Sequence, residues 1–181
     1  MKILSEKEAI LLLRKYAPSE KAFKIVLSHS QTVKKAALRI AQRIPQANIE
    51  FVKSASLLHD IGRFKYPPGT DSIKHGIAGA EILRKEGLAR YALLAERHLG
   101  VGIAKQDIKK QKLALPLRDF VPKTIEEMIV SYADNLVFGS KVKTINDVIN
   151  RFRKEIGDYI VRRVLQQHKE IEKLMKPIKH P

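Results

Sequence analysis

Thr124-Ile125-Glu126-Glu127-Met128-Ile129-Val130-Ser131-Tyr132-Ala133-Asp134-Asn135-Leu136-Val137-Phe138 is the stretch whose reading decides the fold class. Its apolar residues Ile125, Met128, Ile129, Tyr132, Ala133, Leu136 and Val137 recur at three- and four-residue spacing, which lays them on one face of a helix. Thr124-x-x-Glu127 reads as a capping box that starts it. Working outward, the same pattern repeats. Ser5-x-x-Glu8 caps a helix stopped at Pro18, and Ser19 starts another through Phe23, Val26 and Leu27. A further helix is expected after His29, ending at Pro45, and Asn48 caps one running to about Gly62. Residues 64–71 form a loop with Pro67, Pro68 and Gly69. Helices follow from Ser72 to near Gly87 and from about Leu88 to Leu99, and residues 100–123 read as a loop with one short turn. Two last helices fit about 144–155 and 157–175. No stretch alternates with period two. The expectation is an all-α bundle of seven to nine helices.

A chain of 181 residues suits one domain with a real core, here expected over 1–181. Cysteine is absent, which removes disulfides, thiolate metal ligands and thiol nucleophiles. The opening Met1-Lys2-Ile3-Leu4 followed by charge is no signal peptide, and the longest strongly apolar run is Ala9–Leu13. A cytoplasmic protein without a membrane partner is therefore expected. The net charge is +16, which favours anionic partners such as nucleotides or RNA. That excess is uneven: residues 49–98 contribute +2 and residues 124–138 contribute −3.

Six histidines bear individual inspection. His59-Asp60 closes an apolar helix and precedes Ile61-Gly62-Arg63. His29 stands at an expected helix boundary, His75 opens a run of small residues, and His98 follows Leu94 and Ala95. Asp134 sits inside the most apolar helix, where a carboxylate needs a cation, a metal or a proton. Apolar neighbours alone do not discriminate, because His168 has them too, and His180 lies in a solvated tail. Only the joint pattern carries weight.

That pattern resembles the HD superfamily of metal-dependent phosphohydrolases. The resemblance runs over about residues 20–140, leaving 141–181 as an unmatched C-terminal helical extension. Leu57-Leu58-His59-Asp60-Ile61-Gly62 is similar to the family's central motif, and Ser131-Tyr132-Ala133-Asp134-Asn135 to its closing segment. His75-Gly76-Ile77-Ala78-Gly79-Ala80 and Arg97-His98-Leu99-Gly100 resemble segments of HD-GYP phosphodiesterases and of bacterial HD-family diadenosine tetraphosphate hydrolases. The GYP tripeptide itself is missing.

The resemblance implies that His29, His59, Asp60 and Asp134 hold one divalent ion, and that Asp60 bridges to a second held by His75 and His98. Four imidazoles and two carboxylates suit Fe, Mn, Co, Ni or Zn better than Mg. Two such ions share a hydroxide nucleophile and neutralise charge on a phosphoryl group. Arg63 is the first expected clamp for phosphate oxygens beside Asp60, its alternative being a surface ion pair with Asp71 or Glu96. Lys74 and Arg97 come next and Lys65 is weaker, while Asn135 reads as a helix-exposed amide or, alternatively, as a group orienting Asp134. The implied substrate is a nucleotide or dinucleotide. A one-metal nucleotidase is the enzymatic alternative, and an RNA-associated module with a structural metal the non-enzymatic one. A homodimer is compatible with either.

Overall fold

The computed structural model describes residues 2–69 and 71–176. Nine α-helices account for the architecture of these residues: α1 Glu6–Tyr16, α2 Glu20–Ala41, α3 Ile49–Leu58, α4 His75–Lys85, α5 Ala89–Arg97, α6 Lys105–Gln111, α7 Ile125–Asn135, α8 Ile145–Glu155 and α9 Asp158–Leu174. Two 3-10 turns, Ile61–Phe64 and Ser72–Lys74, separate α3 from α4. A two-residue antiparallel pair, β1 Val137–Phe138 and β2 Lys141–Val142, follows α7. The fold is all-α. His180 lies outside the described residues.

Local chemistry sets most boundaries. Ser5 and Glu8 form the reciprocal box expected of them, with Ser5 Oγ accepting from the Glu8 amide at 3.2 Å and Glu8 accepting from the Ser5 amide at 2.8 Å. Ser19 and Asn48 accept from Ala22 and Phe51 amides. At Thr124 the box is half formed. Thr124 Oγ1 accepts from the Glu127 amide, but Glu127 turns away to the Lys123 amide at 2.6 Å and to Arg97 at 3.0 Å. The boundary expected at His29 does not exist. Nothing between Ser19 and Ala41 breaks a helix, so α2 runs unbroken and carries His29 in its middle. The helix expected to reach Gly62 stops at Leu58, and His59-Asp60 form the turn after it.

The main core lies where α2 meets α3 and α7, with α1 and α5 closing it; Leu13, Phe51, Leu57, Leu58, Leu94 and Ile129 are fully buried there. A smaller cluster, Val148, Phe152, Ile160 and Val164, joins α8 to α9. Buried carboxylates on the rim of the core are each paired. Glu96, 1% exposed, accepts from Arg84 at 2.6 Å and from both terminal nitrogens of Arg118 at 3.0 Å. Burial opposes its ionisation, but Arg118 and Arg84 outweigh it and hold the carboxyl below the usual range. A depressed folded-state pKa stabilises above the unfolded value, about 4.3, and that stability is lost as pH falls through the folded value. Glu96→Gln should therefore cost about 1–2 kcal/mol at pH 7 and less at pH 3, read as melting temperature against pH. An equal loss at both pH values would contradict the pairing.

Candidate metal centre

The turn His59-Asp60 brings two side chains to one end of the bundle, where α2, α4, α5 and α7 deliver the rest. His59 and Asp60 are both buried, as are His75 at the start of α4 and His98 at the end of α5. His29 comes from the middle of α2 and Asp134 from the last turn of α7. The structure thus gathers all six residues picked out in the sequence.

Their orientation is held from behind. His59 Nδ1 pairs with the Ser56 carbonyl at 2.7 Å and His98 Nδ1 with the Ala95 carbonyl at 2.7 Å. His29 Nδ1 reaches the Gly139 carbonyl at 2.8 Å, and His75 Nδ1 meets the Ser72 carbonyl. A carbonyl can only accept, so each Nδ1 donates, and each ring turns its Nε2 inward, as a lone pair whenever the ring is neutral. Gly139 owes this contact to the β1–β2 turn, where it adopts φ 64°, a conformation that glycine enters without strain.

Inside, everything converges on two carboxylates. Asp60 Oδ1 stands 3.0 Å from His75 Nε2 and 3.4 Å from His98 Nε2, and these two nitrogens are 3.1 Å apart. Asp60 Oδ2 faces the other pair, 3.7 Å from His29 Nε2 and 3.9 Å from His59 Nε2. Asp134 Oδ1 lies 2.9 Å from His29 Nε2 and 3.5 Å from His59 Nε2. His59 Nε2 is buried without a hydrogen-bond partner. Imidazole nitrogens and carboxylates crowded together at a largely buried site require a positive charge among them. The electrostatics express the same demand. Burial pulls the His29 imidazole down, yet Asp134 and then Asp60 carry it up to about 9. Burial likewise opposes the charge on Asp134 and Asp60, but the facing histidines hold both well below the carboxylate range.

Two ligand groups emerge among the described residues, His29–His59–Asp134 and His59–Asp60–His98, each with ligand atoms within 4.8 Å of one another. His75 stands against the second through Asp60 Oδ1. Imidazole and carboxylate with no sulfur fit a divalent transition ion, bonded at about 2.0–2.2 Å. The geometry could hold one such ion on each side of Asp60.

The site forms one end of a cavity of about 1000 Å³. Arg63 lines it and sets its Nε 3.3 Å from Asp60 Oδ1, not against Asp71 or Glu96. Lys74 is not brought there: its Nζ pairs with Asp71 at 3.1 Å, because the Ser72–Lys74 turn aims it away from the lining of the cavity. Arg97 is bound by Glu127 and Lys65 faces Glu81. Asn135 is buried rather than helix-exposed. It donates to the Gly100 carbonyl at 2.8 Å and so ties α7 to the loop after His98. His168 is satisfied by the Tyr132 hydroxyl at 2.6 Å and takes no part. Sequence reasoning missed Gly139, whose carbonyl orients His29, and Arg151, Phe152 and Tyr159 on the far cavity wall.

Comparison with known proteins places the fold. The HD domain model matches residues 26–139. The chain is 40% identical over 174 residues to an uncharacterized protein of Methanocaldococcus jannaschii, spanning 94% of this chain and 99% of that one. It is 37% identical to tRNA (cytidine(56)-2'-O)-methyltransferases of Picrophilus torridus and Thermoplasma volcanium, over 96% and 93% of this chain. It spans about half the length of those two relatives, 48% and 47%. The crystal structure of the HD domain of the L. monocytogenes phosphodiesterase PgpH superposes with a TM-score of 0.57 at 20% identity, covering 92% of both chains. The same domain in complex with cyclic-di-AMP gives 0.53 at 19% identity, covering 95% of this chain and 99% of that one. The chain belongs to the HD domain family. Among the described residues no helix is long and apolar enough to cross a membrane.

Proposed function

We propose that this protein is a metal-dependent phosphohydrolase cleaving a phosphate ester or anhydride of a nucleotide or dinucleotide. The observation that carries the reading is the convergence of four imidazole Nε2 atoms on two carboxylates, Asp60 buried and Asp134 half-buried, at the end of a large open cavity. Divalent ions bound there supply an activated water and neutralise charge building on a phosphoryl group. His29, His59 and Asp134 would hold one ion and His75 and His98 another, with the two oxygens of Asp60 turned one to each side. The carbonyls behind the rings fix those ligands in place before substrate arrives, so little reorganisation is left for the reaction. Arg63, beside Asp60 at the cavity, would meet a non-bridging phosphate oxygen. PgpH is a phosphodiesterase whose HD domain is seen with cyclic-di-AMP, which supports a substrate of this class. The methyl-transfer name of the longer relatives belongs to proteins twice this length and is not carried over.

The test is a phosphate-release panel of nucleotides, dinucleoside polyphosphates and cyclic dinucleotides, run with protein stripped and reloaded with Mn, Fe, Co, Ni, Zn or Mg. Turnover with at least one transition metal is expected, abolished by chelator and by His59→Ala. Metal-loaded protein that releases nothing from any of them contradicts the reading. If His75→Ala and His98→Ala change neither occupancy nor rate, a one-metal nucleotidase replaces the two-metal form.

A further inference from the structure

Residues 141–181 carry no motif, yet α8 and α9 build the cavity wall that faces the histidines and aspartates. Phe152, Ile156, Tyr159 and Ile160 line it. Two of them leave large apolar surface open to solvent, Ile156 at 41% and Tyr159 at 48%. Exposed aromatic and aliphatic surface inside a cavity is where a ligand is expected to gain most from burial.

Tyr159 is also held still. Its hydroxyl accepts from Gln111 Nε2 at 2.6 Å, which joins α9 to α6 and orients the ring, with Lys110 Nζ over it at 5.8 Å from the centroid. The wall behind it is clamped: Arg163 bonds Asp107 at 2.6 Å and the Gly102 carbonyl at 2.7 Å, so the loop after His98, α6 and α9 move as one. A fixed, partly exposed aromatic ring is a stacking platform for a planar ligand.

Arg151 of α8 lines the same cavity. Its guanidinium lies over the Phe138 ring at 4.2 Å and the Phe152 ring at 4.8 Å, and its Nε is buried without a hydrogen-bond partner. The nearest carboxylate, Glu155, is 4.0 Å from that nitrogen, too far for a hydrogen bond. A guanidinium stays charged at any working pH, and the part of Arg151 that is exposed, 28% of the side chain, is suited to an anion arriving from the cavity. The cavity volume of about 1000 Å³ sits at the top of the range of roughly 300–1,000 Å³ for small-molecule sites, so it has room for more than one phosphate and a base.

We infer that α8 and α9 are the substrate-recognition half of the site, with Tyr159 stacking on a nucleobase and Arg151 contacting a phosphate remote from the six-residue cluster. This rests on the phosphohydrolase reading for its substrate class, but binding tests it without turnover. The probe is the β,γ-methylene analogue of 2-aminopurine riboside triphosphate, titrated into zinc-loaded protein and followed by the quenching that stacking causes. Inorganic tripolyphosphate, added as competitor, reports phosphate binding without a base. Tyr159→Leu should raise the Kd for the nucleotide about tenfold and lose the quench, while the tripolyphosphate affinity stays the same. Arg151→Gln should weaken both ligands about tenfold, with Arg151→Lys falling between. Melting curves show that each variant is folded.

Wild-type protein that does not bind the nucleotide, a Tyr159→Leu variant that binds and quenches like wild type, or an Arg151→Gln variant with both affinities unchanged overturns the inference. Any of these with phosphate release intact leaves the hydrolase reading standing. Loss of nucleotide binding in both variants of a protein that hydrolyses nothing supports the inference and removes the hydrolase reading.

Discussion

Asp60→Asn should lower phosphate release by the metal-loaded protein by more than about 10²–10³-fold, the loss expected when one preorganised charged group is taken from a transition state. The substitution changes shape very little, so the argument rests on charge and on lone pairs. Asp60 turns Oδ1 toward His75 and His98, and Oδ2 toward His29 and His59. An amide can keep an acceptor on one side only. Its NH2 must face two imidazole nitrogens on the other side, which repels any cation placed there and halves the ligand supply. Metal content should fall together with rate, while the melting curve of the metal-free protein stays that of a cooperative fold. A variant that keeps its metal and its rate within about threefold of wild type would remove Asp60 from the centre of the account.

Adding a single methyl at the buried Gly62, as Gly62→Ala, should cost about 4 kcal/mol or more and leave little folded protein at 37 °C. The reason is space, since the backbone of Gly62 is ordinary 3-10 turn. A Cβ there would overlap the His75 carbonyl oxygen and sit 2.5 Å from the Gly79 amide nitrogen. Both are backbone atoms and cannot rotate away. The turn after Asp60 is pressed directly on α4, and this contact sets where Asp60 and His75 stand relative to each other. Gly79→Ala is the control: its nearest neighbour would be the Gly62 amide nitrogen at 3.2 Å, a few tenths of an ångström short of comfort. It should cost less, about 1–3 kcal/mol. Urea denaturation of the two variants checks the order, and a Gly62→Ala protein as stable as Gly79→Ala would contradict the packing described.

Periodicity and caps made most helices legible before any coordinates, because each buries an amphipathic face that leaves a three-and-four pattern in the sequence. Where that signal is weak, sequence reasoning slipped. α6, Lys105–Gln111, buries only Ile108, and its N-terminus is closed by Asp107 accepting from the Ala104 amide, so seven residues, four of them charged, read as loop. The β1–β2 pair is two residues long on each side, too short to show alternation. No helix breaker stands near His29, so α2 passes through it from Glu20 to Ala41.

The six-residue cluster was legible for a different reason. Its members are rare residue types in a motif order, and a histidine followed by aspartate survives in sequence however the chain folds. The far wall of the cavity has no such trace. Phe152 and Tyr159 look like any amphipathic helix residues, and Arg151 is one basic residue among 35. Only the packing of α8 on α9 shows that they face the aspartates across open space. The charge surplus also changes meaning. The ligand-bearing stretch 49–98 has a net charge of only +2, so the local pull on phosphate has to come from bound cations and from placed groups such as Arg63 and Arg151.

Anomalous diffraction from crystals grown with manganese should show two peaks per chain, one beside His29, His59 and Asp134 and one beside His75 and His98, with Asp60 between them. A single peak would contradict the two-ion centre, and no peak at these residues would contradict a metal centre altogether.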